Sequence, residues 1–284
     1  MMQLTYQQWV AHADKCLTEC SDSSTLDARL LLCHGLDITM THLLSWPDRL
    51  LANSKIAPLE ELLAERAEGK PIAYIVGSTE FWGISLVVNK DVLVPRADTE
   101  VIVERCLSII SSLAKPQLSI ADLGTGSGAI ALALAKEEPQ AKVLAVDQSE
   151  QALNVAKANA ELNKINNVDW LQSNWFDGMR TQRFDLIVSN PPYVAPDDKH
   201  LKDLEHEPDS ALIAEDDGFA DLIQIAEFAR EYLLADGWLV LEHGFQQKDR
   251  LHKILKKLGY QEIQTDKDLS GNDRCTYAKC PEDG

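Results

Sequence analysis

The chain of 284 residues lacks a long hydrophobic run, since no stretch approaches the roughly 18 apolar residues that a membrane-spanning helix requires. Its first sixteen residues contain no arginine and no basic region followed by an apolar core. We therefore expect no secretory signal, no mitochondrial presequence and no membrane association, and we predict a cytoplasmic location.

Positive charge is also scarce. The chain has 27 Lys and Arg against 45 Asp and Glu, which gives a formal net charge of −18. A protein that binds nucleic acid through phosphate contacts needs an excess of basic residues. The composition therefore argues against nucleic acid as a direct partner.

The six cysteines lack the spacing of a zinc site. Cys16 and Cys20 lie four residues apart, and Cys275 and Cys280 lie five apart, whereas a zinc knuckle has a two-residue gap. Without a secretory signal, such cysteines are expected to be free thiols in a reducing compartment. We predict no metal site.

Residues 1–70 show helical patterns only, and short helices with short links are typical of a small bundle. Thr5 and Gln8 form a capping box at the start of the first helix. We predict that a second helix stops at Gly35, because glycine commonly ends helices. Another helix is expected to have Pro58 in its first turn.

The pattern changes after residue 70. β-Branched and aromatic residues interrupted by glycines dominate 71–95, which predicts a β-hairpin linker. From 96 to 284 strand and helix patterns alternate, and seven segments have strand character. This alternation is typical of a mostly parallel sheet covered by helices on both faces. The sequence therefore predicts an α/β, Rossmann-like domain over 96–284 behind a helical domain over 1–70.

A glycine-rich turn follows the first strand of the predicted sheet. The residues of this turn are Gly124, Thr125, Gly126, Ser127 and Gly128. Glycines allow a tight turn and the close approach of a ligand to the backbone. The second strand ends at Asp147, where a carboxylate can accept hydrogen bonds from both hydroxyls of a ribose. Together these features predict a site for a nucleoside cofactor.

The spacing of the turn narrows the choice of cofactor. It is G-x-G-x-G after Asp122, without the third glycine of a dinucleotide turn, and the chain contains no G-x-x-x-x-G-K-[ST] sequence. The pattern resembles that of class I S-adenosylmethionine-dependent methyltransferases. This resemblance implies S-adenosyl-L-methionine as cofactor and implies that Asp122 steadies the turn near the methionine part.

A second motif, Asn190-Pro191-Pro192-Tyr193, ends the strand FDLIVSN. Its prolines restrict the backbone and lack N–H donors, so that the Asn190 side-chain oxygen and the Pro191 carbonyl remain as acceptors. Tyr193 offers an aromatic face for stacking. We predict that Asn190, Pro191 and Tyr193 are catalytic and that the whole tetrapeptide, including Pro192, binds a planar NH₂ group.

This arrangement suits methyl transfer to nitrogen. The lone pair of an amide or aromatic amine is delocalised, so the nitrogen is a weak nucleophile. Two acceptors that hold the two N–H bonds aim the lone pair at the methyl carbon, which is catalysis by positioning. No strong base is needed first, because the nitrogen becomes acidic as it gains positive charge.

The NPPY motif alone leaves two substrates, the side-chain amide of glutamine in a protein and the exocyclic amine of adenine. An enzyme that methylates adenine in duplex DNA needs base flipping and a basic groove. Here the motif is followed by the acidic loop 197–217, which has nine Asp and Glu against two lysines. This loop is either a solvated surface or a site of attraction for a basic partner.

Together the motifs resemble the HemK/PrmC family of release factor glutamine methyltransferases over nearly the whole chain. The matching stretches are KPIAYIVGSTEFWG (70–83), VLVPRADTE (92–100), ADLGTGSGAIALALA (121–135), VLAVDQS (143–149), SNPPYV (189–194) and HEPDSALIAEDDGFADL (206–222). The stretch PRADTE is closer to the release factor enzymes than to the sister enzymes that methylate a ribosomal protein. That sister activity remains an alternative.

The resemblance implies roles for particular residues. The turn 124–128 would line the methionine part of the cofactor, Asp147 would bind the ribose, and Trp175 would pack against the adenine unless it belongs to the core. Asn174 stands where an acid often faces the adenine amine. Asn190 would contact both cofactor and substrate, which is the glutamine of the Gly-Gly-Gln motif in class I peptide chain release factors.

Two expectations concern the partner. Residues 1–70 hold six Lys or Arg against ten Asp or Glu, so this domain is acidic as well. We expect it to recognise a protein substrate, because acidic surfaces attract basic protein segments and repel phosphate backbones. Arg96 either steers the substrate or pairs with Asp98 or Glu100.

Overall fold

The computed structural model describes residues 4–280, apart from the side chains of residues 200, 202 and 203. Its contacts divide the chain into two units, of which the first ends at Ser78 and the second begins at Thr79. Among the helices of residues 4–280, none combines the length and the apolar character that crossing a membrane requires.

The first unit is helical. Its described residues form α1 (Tyr6–Leu17), α2 (Ser24–Leu36), α3 (Met40–Ser45), α4 (Asn53–Ala67) and α5 (Ile72–Val76). Its core contains Trp9 and Leu17 of α1, Leu31 of α2 and Leu59 of α4, each fully buried. The predicted capping box is confirmed: the Gln8 backbone N–H donates to the Thr5 hydroxyl at 3.2 Å, and the Thr5 N–H donates to the Gln8 side chain at 2.9 Å.

Two predicted helix ends in this unit are wrong. Helix α2 includes Gly35 and is terminated instead by Asp37, which adopts the left-handed conformation with φ 55°. Gly35 serves packing, because a Cβ atom there would lie 2.5 Å from Cδ2 of Leu59. Helix α4 starts before Pro58 and includes it, so that one backbone hydrogen bond is missing within the helix.

The region 71–95 is a hairpin only in part, since its first residues form helix α5. The strands of the hairpin are β1 (Ser78–Phe81) and β2 (Ile84–Val87). Phe81, Ile84 and Leu86 are buried in a core of the second unit. The hairpin is therefore packed against the α/β unit rather than free as a linker.

The second unit contains a seven-stranded sheet. Its strands are β3 (Ser119–Leu123), β4 (Lys142–Asp147), β5 (Val168–Gln172), β6 (Phe184–Ser189), β7 (Leu233–Glu242), β8 (Gln261–Lys267) and β9 (Asp273–Lys279). Their order is β5-β4-β3-β6-β7-β9-β8. The first five in this order run parallel, and β9 runs antiparallel to both of its neighbours.

Helices cover both faces of this sheet. They are α6 (Glu100–Leu113), α7 (Ala129–Glu137), α8 (Glu150–Asn163), α10 (Ala220–Tyr232) and α11 (Lys248–Lys257); the short α9 (Glu215–Gly218), in which Asp216 and Asp217 are left-handed, packs against α10. Successive residues of β3 point to opposite faces: Ile120 packs with residues of α6 and α7, and Ala121 packs with residues of α10 and α11. All six residues of β6 are buried. The predicted α/β class with a mostly parallel sheet is confirmed.

The connections create a switch point. From β3 the chain winds outward through β4 to β5 and then returns to place β6 on the other side of β3. Open α/β sheets bind their ligands beyond the carboxyl ends of the strands at such a reversal. The glycine turn follows β3 and the NPPY motif follows β6, so both motifs lie at this position.

One buried side chain links the hairpin to the glycine turn. The Asn159 side chain accepts from Val87 N–H at 2.7 Å and donates to the carbonyls of Val87 and Ser127 at 3.0 and 2.9 Å. We expect Asn159→Ala to lower the free energy of unfolding by about 2–3 kcal/mol, because it leaves buried polar groups without partners. Denaturant unfolding measures this change. The exposed Asn166→Ala is the control, with a change within about 0.5 kcal/mol, and an equal loss in both variants would contradict the prediction.

Candidate active site

A cavity of about 290 Å³ opens at the switch point. Its wall contains the glycine turn, the ends of β4 and β6, the segment after β5 and part of the loop 197–217. The predicted site residues that line it are Gly124, Thr125, Gly126, Ser127, Asp147, Trp175, Asn190 and Pro192. Three other predicted residues, Gly128, Pro191 and Tyr193, do not line it.

The glycine turn needs glycine for two different reasons. Gly124 has φ 71°, and a Cβ atom there would lie 3.2 Å from the indole ring of Trp175. Gly126 has φ 55°, and a Cβ atom there would meet no atom within 4 Å. The backbone at Gly126 therefore faces open space beside the cavity, where a ligand can approach it closely.

Asp122 lies buried beneath this turn. One of its carboxylate oxygens accepts from the Thr125 hydroxyl at 2.6 Å and from the Ala131 N–H at 3.1 Å, and the other oxygen is buried without a partner among the residues that the structure describes. Burial raises the pKa of Asp122 to about 7, although these two hydrogen bonds lower it and the charge of Asp147 raises it further. The contacts match the turn-steadying role that the resemblance implies.

Asp147 ends β4 at the cavity. Its two oxygens accept from the backbone N–H groups of Gly126 and Ser149, each at 2.9 Å. Burial raises the pKa of Asp147, and hydrogen bonds from the backbone of Ser149, Gly126 and Gln148 oppose this effect. The carboxylate keeps capacity for a ligand, because it accepts about four hydrogen bonds.

Trp175 has an unusual backbone. Its φ of 44° is uncommon for a bulky residue and indicates a conformation held by its surroundings. The indole N–H donates to Asp221 at 3.1 Å, and both residues line the cavity. Sequence reasoning assigned no role to Asp221, although it lies in the matching stretch 206–222, because its partner Trp175 is 46 residues away.

Only part of the NPPY motif lines the cavity. The Asn190 amide N–H donates to the Thr99 hydroxyl at 3.4 Å, and Asn190 and Pro192 line the cavity. Pro191 is buried. Tyr193 packs against a core cluster, and its hydroxyl donates to Glu242 at 3.0 Å. The predicted stacking face of Tyr193 therefore lies outside the cavity wall, and its catalytic role stays a prediction.

The side chain of Gln247 holds the backbone of the NPPY motif by hydrogen bonds. Gln247 donates to the carbonyls of Tyr193 and Gly218 at 3.1 and 3.2 Å, and its own oxygen accepts from the Gly244 N–H at 2.8 Å. A Cβ atom at Gly218, which has φ 81°, would lie 2.2 Å from the Tyr193 carbonyl oxygen. The close approach therefore requires glycine at this position.

The acidic loop 197–217 forms part of the site and is not only a solvated surface. Pro208, Ser210, Ala211 and Ile213 line the cavity. Two of its charged residues, Lys202 and Asp203, have side chains outside those described. Sequence reasoning missed these lining residues, although the resemblance had included the stretch that contains them.

Buried Glu207 ties this loop to the segment before α6. It accepts from the Val94 N–H at 3.1 Å and forms an ion pair with Arg96. The prediction that Arg96 pairs with Asp98 or Glu100 is wrong. The partner is distant in sequence, and only the fold brings Glu207 to it.

Family models match both parts of the chain. The model described as the PrmC N-terminal domain matches residues 8–77, and the methyltransferase small domain matches residues 106–207. A methyltransferase from Pyrococcus furiosus shares the fold, with a TM-score of 0.53 at 19% identity over 78% of this chain and 99% of its own. The second unit therefore belongs to the methyltransferase class of Rossmann-like folds.

Two relatives extend over almost the full length. Proteins named release factor glutamine methyltransferase from Aliivibrio fischeri and Shewanella oneidensis are both 45% identical to this chain. The first match covers 98% of each chain, and the second covers 93% of this chain and 92% of the relative. The chain belongs to the family of release factor glutamine methyltransferases.

The raised pKa of Asp122 predicts a pH-dependent stability. Between about pH 4 and pH 7 the folded protein holds a proton that the unfolded chain has lost, so the free energy of unfolding falls as pH rises. We expect Asp122→Asn to reduce this decline, because the amide never ionises and still accepts both hydrogen bonds. Denaturant unfolding at about pH 5 and about pH 8 measures it.

A matched control removes a carboxylate that is exposed. Asp169→Asn, on β5, should leave the pH dependence of the wild-type protein unchanged. If Asp122→Asn declined as steeply as the wild type, the assignment of a raised pKa to Asp122 would be wrong.

Proposed function

We propose that this protein transfers the methyl group of S-adenosyl-L-methionine to the side-chain amide nitrogen of glutamine in the Gly-Gly-Gln motif of class I peptide chain release factors. The observation that carries the proposal is the position of Asn190. It lies in the wall of the same cavity as the glycine turn and Asp147. A group held by Asn190 is therefore next to a ligand held by the turn.

The cavity fits the cofactor. Gly126 leaves open space where a side chain would otherwise stand, and Asp147 offers free lone pairs to the ribose hydroxyls. Trp175 provides an apolar wall for the adenine, and Asp221 beside it supplies a carboxylate that Asn174 does not. When bound, this cofactor supplies an electrophilic methyl group on a sulfonium.

The residues of the chain act by positioning. We assign one N–H bond of the substrate amide to the Asn190 side-chain oxygen and the other to the carbonyl of Pro191, which stands between the lining residues Asn190 and Pro192 although its ring is not in the wall. These two acceptors aim the nitrogen at the methyl carbon. With the cofactor bound, the nitrogen would take the methyl carbon as the carbon–sulfur bond breaks, and it would then lose a proton to solvent. Acceptors placed where positive charge develops lower the barrier.

Charge supports a protein as the substrate. The chain carries a net charge of −18, and the loop 197–217, part of which lines the site, holds nine acidic residues against two lysines. A basic segment of a protein is attracted to such a surface, whereas a phosphate backbone is repelled. The N-terminal unit, which the PrmC N-terminal domain model matches over residues 8–77, is the part that we assign to binding the release factor.

The proposed substrate, a release factor, indicates where in the cell the enzyme acts. Release factors act on ribosomes, so the enzyme acts in the cytoplasm. The six cysteines are free thiols, as a reducing compartment requires.

Mass spectrometry of a class I release factor incubated with the protein and S-adenosyl-L-methionine tests the proposal. We expect one added methyl group, on the glutamine of Gly-Gly-Gln. A ribosomal protein extract and an adenine-containing DNA duplex serve as parallel substrates. Methyl groups found only on one of those substrates would overturn the proposal in favour of the corresponding alternative.

Asp147→Ala should weaken cofactor binding about ten- to a hundredfold, because the ribose hydroxyls lose a charged acceptor. Calorimetric titration with S-adenosyl-L-methionine measures the Kd. Asp169→Ala, which removes an exposed carboxylate from the neighbouring strand, is the control and should leave the Kd unchanged. An unchanged Kd in Asp147→Ala would refute the ribose assignment.

Asn190→Ala should lower the rate of methylation about a hundred- to a thousandfold while the protein stays folded, because a positioned acceptor is lost where charge develops. Single-turnover methylation of the release factor measures this rate. Asn166→Ala, at an exposed position, is the control. Turnover of Asn190→Ala within a few-fold of wild type would show that the amide is held by other groups.

A further inference from the structure

One side chain, that of Gln247, forms hydrogen bonds to three separate segments of the second unit. Its Nε2 donates to the carbonyl of Tyr193 at 3.1 Å and to that of Gly218 at 3.2 Å, and the Asp217 carbonyl lies further away at 3.5 Å. Its Oε1 accepts from the Gly244 N–H at 2.8 Å. The side chain is largely buried, and it is not part of the cavity wall. It therefore connects the end of the NPPY motif, the end of the acidic loop and the turn after β7.

The partners of this amide fix its orientation. A backbone N–H only donates, so the atom of Gln247 that faces Gly244 must be the oxygen. The NH₂ group then faces the carbonyls of Tyr193 and Gly218, and its two N–H bonds match these two acceptors. A carboxylate of the same length would instead place an acceptor against two acceptors. The site therefore requires a side chain that donates on one side and accepts on the other.

The NPPY motif is held at both of its ends. It begins directly after β6, and the pairing of β6 with β3 fixes its start. Its last residue, Tyr193, is held by Gln247. The two residues in the middle, Pro191 and Pro192, have φ angles that their rings restrict. A segment with so little freedom keeps the Pro191 carbonyl in one direction, and this is the carbonyl that we assign to the substrate amide.

The same side chain limits the spacing between the NPPY motif and the acidic loop. Val194 already pairs with this loop, since its N–H donates to the Leu212 carbonyl and its own carbonyl accepts from the Ala214 N–H, both at 2.9 Å. Gln247 adds a second connection further along the chain, at Gly218. The packing there is tight, because a Cβ atom at Gly218 would lie 2.9 Å from Nε2 of Gln247. Residues of both the motif and the loop line the cavity, so this spacing sets the width of the site.

We propose that Gln247 is a positioning residue for methyl transfer, which holds the NPPY motif and the acidic loop at a fixed spacing around the substrate amide. It acts through the carbonyls of Tyr193 and Gly218, and we assign it no contact with substrate or cofactor. A displacement of about 1 Å in a reacting group can lower a rate about a hundredfold, so a loss of this connection should be visible in kcat. The inference rests on the proposed function, because it places the effect at the substrate amide.

The test replaces Gln247 by Glu, which keeps the length of the side chain and an acceptor for Gly244. When the new carboxyl is ionised, it faces two carbonyls with an acceptor and the connection is lost. When it is protonated, its O–H can donate and one hydrogen bond is restored. Burial among carbonyl oxygens raises the pKa of such a carboxyl, so mildly acidic solution should restore the donor. Gln246→Glu is the matched control, because it makes the same change at the exposed neighbouring position.

Charged and titratable groups on the joined elements are present in the variant and in the wild type alike. They are Asp216 and Asp217 at the end of the loop, Glu242 and His243 at the end of β7, and Lys248 and Arg250 of α11. We therefore express kcat as the ratio of variant to wild type at each pH, which removes the contribution that both proteins share. The Gln246→Glu control reports the effect of one added negative charge on these groups.

For Gln247→Glu we expect kcat with a class I release factor to fall about a hundredfold at about pH 8 and to recover to within about tenfold of wild type at about pH 6. The Kd for S-adenosyl-L-methionine should stay within about threefold of wild type at both pH values, because the residues assigned to the cofactor follow other strands. Gln247→Met has no donor, so its kcat should be equally low at both pH values. Gln246→Glu should match the wild type throughout.

Three results would overturn the inference. One is a kcat of Gln247→Glu near that of wild type at the higher pH. The second is a loss of kcat in Gln247→Glu that does not change with pH, since a missing donor would then not be the cause. The third is a loss of cofactor binding together with kcat, as in a variant that does not fold, because Gln247 would then serve the fold in general. Failure of the proposed function is separate, since the wild-type protein would then add no methyl group to the release factor.

Discussion

The parallel pairing of β3 with β6 is the constraint on which the site depends. Leu123 and Ser189 are partners at the end of this pairing, and the Ser189 hydroxyl donates to the Leu123 carbonyl at 2.7 Å. Gly124 follows β3 and Asn190 follows β6, so the register alone brings the glycine turn and the NPPY motif to the same edge of the sheet. Parallel strands end at the same edge, which is why two motifs 66 residues apart can share a cavity.

The segment between the hairpin and α6 connects the acidic loop, the NPPY motif and the hairpin. Buried residues such as Val94 and Thr99 lie in this segment, so their polar groups need partners. Its partners come from separate elements: Val94 and Arg96 bind Glu207 of the loop, Thr99 binds Asn190, and Glu100 accepts from the Trp82 N–H. The PRADTE motif is therefore a structural connection between the acidic loop, the NPPY motif and the hairpin.

Local sequence patterns correctly predicted the elements that depend on adjacent residues. Strands of buried apolar residues and the glycine turn were found because each is encoded by adjacent residues. The predictions were wrong where tertiary packing outweighed the secondary-structure preference of the residues. Gly35 remains inside α2 because α4 packs closely against it, and α5 is helical although its sequence is rich in β-branched residues, because Ala73 and Ile75 are buried in that conformation. Residue preference is a weak determinant beside such burial.

The sequence by itself determined the class of fold, the glycine turn with Asp147 at the end of the next strand, and the NPPY motif after β6. Only the tertiary structure decided that Tyr193 points to Glu242 rather than into the cavity, that Asp221 stands beside Trp175, and that the acidic loop forms a wall of the site. The physical reason is distance along the chain. Contacts such as that of Val94 with Glu207 join residues 113 positions apart, and no local pattern records which groups burial will force to pair.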